Sequence, residues 1–398
     1  MQVKLEPAVV RGFRFAGVAA GIKKAEGALD LGLIAADEPA AAAAVFSANR
    51  VKSATIYVTA DRVRSGRLQA VIVNSGCANS FTGKPGLKLA IDSCAAVAKL
   101  LGIKAELVVP NSTGVIGHLY DLGNYAAGAG AAVNQLREDG MADFARAIMT
   151  TDTRPKTAST TLRVGGETIT IAGAVKGVGM LSPNMATMLG YIVTDAAIAP
   201  TALKRSLKAA LPTSFNAITV DGDMSTNDTV ILLASGAAKN RAFTPRDSAA
   251  FDKALTEVSQ ALARELVRDG EGATKLVSIE VRGAKSASDA QRAARQIANS
   301  PLVKTAFFGC DPNVGRILMA AGSSGAMVES EKLVLFIGGT KVASGGRLLT
   351  EALDEAGRAM KEAEFTVLLD LKLGKASAKI LTCDLSYDYV KINAEYTT

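Results

Sequence analysis

Short strand-like segments and longer helical segments follow one another along this chain in no regular alternation. Apolar residues recur every three or four positions at 90–101 and 251–266, which predicts two amphipathic helices. A short apolar run at 230–234 predicts a strand, and Gly165-Gly166-Glu167 predicts the turn of a hairpin. This order argues against a regular wheel of β-α-β units and predicts a mixed α+β fold.

The remaining predicted elements are short and are separated by glycine and proline. One helix is predicted at 290–297, and strands are predicted at 71–74, 106–109, 160–164, 168–172, 188–194, 278–281, 333–337 and 366–371. The alanines at 40–44 favour a helix by propensity, but Pro39 before them and Val45-Phe46 after them are equally compatible with a strand.

Length and composition predict a folded protein of two to three domains. The chain has 398 residues, of which 48% are hydrophobic. A change in composition near residue 275 predicts a boundary between a region at 1–275, which contains most of the segments considered below for chemistry, and a C-terminal α+β domain at 276–398. The net charge of +7 is mild and is not concentrated in a basic block, so nucleic acid is not an expected partner. No apolar run reaches the ~18 residues that span a bilayer, and no leader pattern begins the sequence, so we expect a cytoplasmic protein without a membrane partner.

The number and spacing of cysteines and histidines limit which metal sites and catalytic bases the chain can contain. Cys77, Cys94, Cys310 and Cys383 have no zinc-ligand spacing, and we expect no metal and no cofactor. The single histidine, His118, lies in a predicted loop or helix start, where a surface or capping role is the expectation. Because histidine is the usual general base, a transfer or hydrolytic enzyme with this sequence needs another one.

A glycine-rich segment at 176–195 offers one solution. Thr187 stands where this loop enters an apolar strand, and a threonine hydroxyl becomes a nucleophile only when a base lies beside it. If the chain is cut between Ala186 and Thr187, the new α-amino group is that base. A plain loop entering a core strand is the alternative, and a phosphate cradle at Gly177 and Gly179 lacks the usual spacing.

Other segments next to strands are candidates for binding or for stabilising charge. In 110–117, a hydroxyl beside a glycine N–H could stabilise an oxyanion, but the local residues favour a simple turn. Cys77 is expected to be an inert small hydrophobe. The polar clusters at 221–228, 269–275 and 311–316 are read as solvated turns, or as groups that suit an amino-acid substrate. The first of them resembles a calcium loop but has Leu232 where the bidentate Glu belongs.

Taken together, the motifs resemble the ornithine acetyltransferase family, the bifunctional glutamate N-acetyltransferases / amino-acid acetyltransferases of arginine biosynthesis. The motifs that carry the resemblance lie at 12–23, 45–52, 74–79, 112–117, 151–156, 176–195, 214–216, 220–228, 309–316 and 392–398. The chain departs from the family pattern at Cys77, Cys310 and Val314.

The resemblance implies an αββα-like layered fold related to self-cleaving aminopeptidases and esterases. It implies cleavage between Ala186 and Thr187 into an α chain (1–186) and a β chain (187–398) that stay together, as α2β2. Thr187 is then the nucleophile, and Thr113 and Gly114 form the oxyanion hole. The implied substrate-binding residues are Thr153, Lys176, Thr187, Glu271, Asn393 and Thr398.

The function expected from this resemblance is ping-pong transfer of acetyl from N2-acetyl-L-ornithine to L-glutamate through acetyl-Thr187. Acetyl-CoA is a second candidate donor. A self-processed amidase or aminopeptidase of the same fold class is the closest alternative. A non-catalytic binding protein for amino acids is the alternative from another class, and it predicts an intact chain.

Overall fold

The structure is a computed structural model that describes residues 2–181 and 188–395. The chain forms two compact units. Unit 1 contains the described residues up to Asn216 together with Asp223–Leu266, and unit 2 contains Ala217–Gly222 and the described residues from Val267 onward. The division falls earlier in the chain than the domain boundary that the sequence predicts after residue 275.

Unit 1 is built on one large mixed sheet. Its strands are β1 (Phe13–Val18), β2 (Leu31–Phe46), β3 (Arg67–Cys77), β4 (Val108–Val115), β5 (Lys156–Val164), β6 (Glu167–Lys176), β7 (Leu189–Thr194) and β8 (Thr229–Ala234). Its helices are α1 (Ala54–Arg62), α2 (Gly83–Leu101), α3 (Leu122–Asn134), α4 (Met141–Ala147), α5 (Pro200–Ala210) and α6 (Pro245–Arg268), the last of which ends in unit 2. The strand order is β4-β3-β2-β8-β7-β6-β5, with β1 paired to β2.

The long strand β2 divides this sheet into two halves. Its first part, at 31–36, pairs with β1 on one side and β3 on the other, whereas its last part, at 41–46, pairs with β8. The register against β3 shifts between Ala35 and Ala40. The alanines at 40–44 are therefore part of a strand. The sequence is compatible with helix or strand there, and pairing with β3 and β8 selects the strand.

The two halves of the sheet pack face to face around a common core. Buried side chains of β1–β4 and of β6–β8 form one cluster, in which the rings of Phe144 and Tyr191 meet edge to face at 5.2 Å. On the outer face of one half, α2 and α3 cover β2 and β3. On the other half, Leu262 of α6 packs against Gly173 of β6. The predicted α+β class and the layered helix–sheet–sheet–helix arrangement are confirmed.

Unit 2 has its own sheet and core. Its strands are β9 (Leu276–Ala284), β10 (Val334–Ile337), β11 (Thr340–Ser344), β12 (Arg347–Leu348), β13 (Glu364–Asp370) and β14 (Ala376–Cys383). Its helices are α7 (Ala287–Asn299), α8 (Pro301–Phe308), α9 (Val314–Gly322), α10 (Leu353–Ala359) and α11 (Tyr387–Glu395). The strand order is β12-β11-β10-β13-β9-β14, and the buried alanines of α7 pack against β9.

Most sequence predictions of single elements are confirmed, with two informative differences. The predicted helices lie within α2, α6 and α7, and the hairpin joins β5 to β6. The segment 110–115 is not a turn, because it continues β4 in parallel pairing with β3. The strand β1 was not predicted; its sequence, FRFAGV, combines a charge and a glycine with only a short apolar run.

The aromatic core between the sheet halves generates a stability prediction. Phe144 is fully buried and contacts both Phe15 and Tyr191, so Phe144→Ala should lower the free energy of unfolding by about 3–5 kcal/mol. Phe81 is 81% exposed, and Phe81→Ala is the matched control, expected to change stability little. Chemical denaturation measures both; equal losses in the two variants would contradict this account of the core.

Candidate active site

Thr113 and Gly114 lie at the end of β4, against the end of β3. Thr113 is buried, and Gly114 has φ +126°, in the region that favours glycine. A Cβ at Gly114 would lie 2.4 Å from the carbonyl carbon of Gly76 on β3. The two strands therefore approach too closely there for any side chain. The predicted oxyanion pair is part of a tightly fitted strand end.

Lys176 ends β6 and contacts Thr113 directly. Its ammonium lies 3.3 Å from Thr113 Oγ1 and 2.7 Å from Thr150 Oγ1, and its side chain is only 5% exposed. An ammonium can only donate hydrogen bonds. The Thr113 oxygen thus accepts from Lys176, and its own proton is available to another acceptor.

Asp152 supplies the counter-charge for this lysine. Its buried carboxylate lies 4.0 Å from Lys176 Nζ and 2.7 Å from Lys156 Nζ, and it also accepts from the Gly177 N–H at 2.9 Å. Burial opposes ionisation of this group. The ammonium groups of Lys176 and Lys156, together with the hydrogen bonds, outweigh that effect and hold the pKa of Asp152 below its usual value.

A further lysine adds to the positive charge of this region. Lys23 is half-buried, and its ammonium donates to the Leu29 carbonyl at 2.8 Å. Burial lowers the pKa of Lys23; the carboxylate of Asp30 opposes that effect, and the nearby ammonium of Lys176 reinforces it. A cluster of this sign suits a carboxylate substrate or an oxyanion.

Asn227 fixes the end of β4 to the start of β8. Its amide nitrogen donates to the Ala78 carbonyl at 2.7 Å and to the Ser112 carbonyl at 2.6 Å, and its amide oxygen accepts from Ser80 at 2.8 Å. These bonds hold the residue before Thr113 in place. The sequence left two readings open for 221–228, a solvated turn or groups that suit an amino-acid substrate. The solvated turn is wrong for residues 225–228, which are buried.

Asp228 contacts the chain immediately after the predicted nucleophile. Its Oδ1 accepts from the Met188 N–H at 3.0 Å. A small cavity, too narrow to hold a water molecule, is lined by Thr113, Lys176, Met188, Leu189, Ser225, Asn227 and Asp228. The structure thus brings together two predicted site residues, the neighbour of Thr187 and three polar side chains of the 221–228 cluster.

In unit 2, Glu271 and Asn393 form a hydrogen-bonded pair. Glu271 is almost buried in the loop after α6, and the Asn393 side chain on α11 donates to its Oε2 at 2.8 Å. A larger cavity of about 620 Å³ also lies in unit 2. Arg282, Phe336 and Glu364 are among its lining residues, but neither Glu271 nor Asn393 is. The larger space is therefore not the one marked by the predicted residues.

The remaining predicted residues have the following places. Thr153 is exposed in the loop before β5. Ala186, Thr187 and Thr398 lie outside the described residues. His118 is exposed, as predicted, and Cys77 is buried, where burial raises the pKa of its thiol. That thiol has the inert character expected from the sequence.

Within residues 2–181 and 188–395, no three His, Cys, Asp or Glu side chains are grouped so that they could hold a metal ion. Over the same ranges, no helix is both long and apolar enough to cross a membrane.

Comparison with known proteins decides the family. The ArgJ family matches residues 14–398. This chain belongs to the ArgJ family. The "Arginine biosynthesis bifunctional protein ArgJ" of Geobacter sulfurreducens is 49% identical over 392 residues, which are 98% of this chain and 100% of the relative. The protein of the same name from Bacillus subtilis is 43% identical over 393 residues, covering 98% of this chain and 95% of the relative.

Solved structures from the same family are also similar. A crystal structure of argJ from Bacillus halodurans is 44% identical and has a TM-score of 0.51, covering 53% of this chain and 100% of that chain. A structure titled as ornithine acetyltransferase complexed with ornithine, from Mycobacterium tuberculosis, is 36% identical with a TM-score of 0.42, covering 46% and 99%. Family membership confirms the resemblance found in the motifs, and the chain is an acetyltransferase of arginine biosynthesis.

The shared counter-charge at Asp152 yields a second prediction. Asp152→Asn leaves the buried ammonium groups of Lys156 and Lys176 without their carboxylate, which should cost about 3–5 kcal/mol of unfolding free energy. Because the pKa of Asp152 is lower in the folded than in the unfolded chain, this stabilisation is present above the ordinary carboxyl pKa. It is lost as the pH falls through the lowered folded value.

Denaturation of wild type and Asp152→Asn at neutral and acidic pH tests this. The difference between them should shrink with acidification. Adding Lys156→Met to Asp152→Asn removes one of the two uncompensated charges and should recover part of the loss. A pH-independent difference, or no recovery in the double variant, would refute the electrostatic account.

Proposed function

We propose that this protein transfers acetyl from N2-acetyl-L-ornithine to L-glutamate, giving L-ornithine and N-acetyl-L-glutamate through an acetyl-Thr187 intermediate. The observation that carries the proposal is the cavity shared by Thr113, Lys176 and Met188. Met188 is covalently attached to Thr187, so the predicted nucleophile is joined directly to a residue of the predicted oxyanion site. Membership in a family named for arginine biosynthesis supports the choice of substrates.

The base required by Thr187 is provided by self-cleavage. In our proposal, Thr187 Oγ attacks the carbonyl carbon of Ala186, and the peptide bond is replaced by an ester. Water then hydrolyses that ester, which leaves a carboxylate on Ala186 and an α-amino group on Thr187. That amine, with an ordinary pKa of about 7.7–8.0, takes the hydroxyl proton in each later turnover. The one histidine is exposed, which fits a mechanism that does not use it.

Transfer then follows in two balanced halves. Thr187 Oγ attacks the acetyl carbonyl of acetylornithine, and the ornithine amine leaves with the proton held by the Thr187 amine. The glutamate amine next attacks the acetyl ester and restores the hydroxyl. Negative charge on the carbonyl oxygen forms in both halves, and the Thr113 hydroxyl and Gly114 N–H are proposed to stabilise it. Since Thr113 Oγ1 accepts from Lys176, its proton can be directed at that oxygen.

The proposed substrate-binding residues have matching chemistry. Lys176 offers a cation, and the Glu271 carboxylate offers an acceptor for an ammonium group. Asn393, which donates to Glu271 at 2.8 Å, adds an amide that can both donate and accept. Thr153, Thr187 and Thr398 complete the set implied by the family motifs. We also propose acetyl-CoA as a second donor, paired α and β chains assembled as α2β2, and a location in the cytoplasm.

The decisive experiment follows both cleavage and transfer. Intact mass spectrometry of the purified protein should give fragments of 186 and 212 residues, whereas Thr187→Ala should remain one chain of 398 residues. Ornithine release from acetylornithine should require glutamate for steady turnover and should yield N-acetylglutamate. Release that is independent of glutamate would favour the amidase alternative. An intact, inactive wild-type chain would favour a binding protein.

A kinetic prediction follows for the oxyanion site. Thr113→Ala removes a donor that meets negative charge only in the transition state, so kcat should fall by about 10²-fold while KM changes little. Thr113→Ser retains the hydroxyl and is the matched control, with kcat expected close to that of the wild type. Steady-state kinetics with acetylornithine and glutamate measure both. An unchanged kcat in Thr113→Ala would leave Thr113 with a packing role alone.

A further inference from the structure

Asp228 is a buried carboxyl group with one oxygen in use. Its Oδ1 accepts from the Met188 N–H at 3.0 Å. Among the residues that the structure describes, none forms a hydrogen bond with Oδ2, although that atom is shielded from solvent. A buried carboxylate without a partner on one oxygen is costly, whereas a protonated acid in the same place is not.

The surroundings of Asp228 favour the protonated acid. Burial raises its pKa well above the usual range, against the opposing effects of the Met188 N–H, the Ser47 side chain and the ammonium of Lys176. Of the described residues that line the cavity, Lys176 is the only other ionisable one. That lysine is already compensated by Asp152, whose carboxylate lies 4.0 Å from its ammonium. The cavity therefore holds a neutral acid beside a paired cation.

Asp228 lies beside the predicted oxyanion site at Thr113 and beside the residue that follows the predicted nucleophile, Thr187. It follows Asn227, which fixes the β4 end before Thr113, and it binds the backbone one residue after Thr187. A displacement of about 1 Å in a reacting group can cost 10²-fold in rate. An uncharged side chain at this place can anchor the backbone without adding a negative charge beside an oxyanion.

We propose that Asp228 is a positioning residue for Thr187, which holds the backbone at Met188 through the hydrogen bond to its Oδ1. Its function is thus that of a hydrogen-bonding group, not of a base or a counter-ion. This inference rests on the proposed acetyl transfer at Thr187. It gives a specific role to one residue of the 221–228 cluster.

The test compares two substitutions that differ in hydrogen bonding but not in charge. Asp228→Asn keeps an acceptor and a donor in the shape of the neutral acid, and both the extent of self-cleavage and kcat should stay within about threefold of the wild type. Asp228→Leu has a similar size but no polar atom, and kcat should fall by about 10²-fold with KM little changed. Asp61→Asn and Asp61→Leu, at an exposed site on α1, are the matched controls and should behave as wild type.

Several outcomes would overturn the inference. A large loss in Asp228→Asn, with the wild type active, would show that a charged carboxylate is needed; the wild-type profile of kcat against pH should then have an acid limb that the Asn variant lacks. Wild-type kcat in a folded Asp228→Leu would show that no positioning is needed. If Asp228→Leu does not fold by circular dichroism, the Asn variant and its pH profile still decide. An inactive wild type would instead refute the proposed function itself.

Discussion

The geometry of the candidate site depends on one buried carboxylate that is shared by two lysines. Asp152 lies within 4.0 Å of the ammonium groups of both Lys156 and Lys176, and it also accepts the N–H of Gly177. Lys176 could not remain buried without it, because an isolated ammonium group loses far more hydration energy than hydrogen bonds to two threonines return. The position of Lys176 in turn sets the direction in which Thr113 can donate.

The candidate site also depends on a close approach of two strands. The strands β3 and β4 meet at Gly76 and Gly114, and a Cβ at Gly114 would collide with the backbone of Gly76. Because β2 pairs with β3 at one end and with β8 at the other, β4 and β6 belong to opposite halves of the sheet. Their packing brings Thr113 of β4 and Lys176 of β6 together, although 62 residues lie between them in the sequence.

Helices and strands can be predicted from this sequence where the spacing of apolar residues is regular. The candidate active site can be predicted only from the motifs that the chain shares with a known family. The helices around 90–101 and 251–266 were readable because their apolar spacing is regular. The segment 110–115 was misjudged as a turn, because proline, serine and glycine indicate turns locally and only pairing with β3 makes them a strand. Asp152 and Asp228 could not be assigned, since the protonation and partners of a carboxyl group depend on contacts that are distant in sequence.

These two aspartates show how a nearly histidine-free site controls its charge. Both are buried in unit 1, yet Asp152 has a lowered pKa and Asp228 a raised one. The difference lies in their neighbours: ammonium groups lie near both oxygens of Asp152, whereas at Asp228 the Met188 N–H, the Ser47 side chain and Lys176 do not outweigh burial. One carboxyl group is thereby kept as an anion that holds a cation in place, and the other as a neutral hydrogen-bonding group. The environment of each carboxyl group, and not its residue type, therefore determines its role. Because Asp228 is uncharged, the cavity that it lines with Thr113 can accommodate the negative charge of an oxyanion.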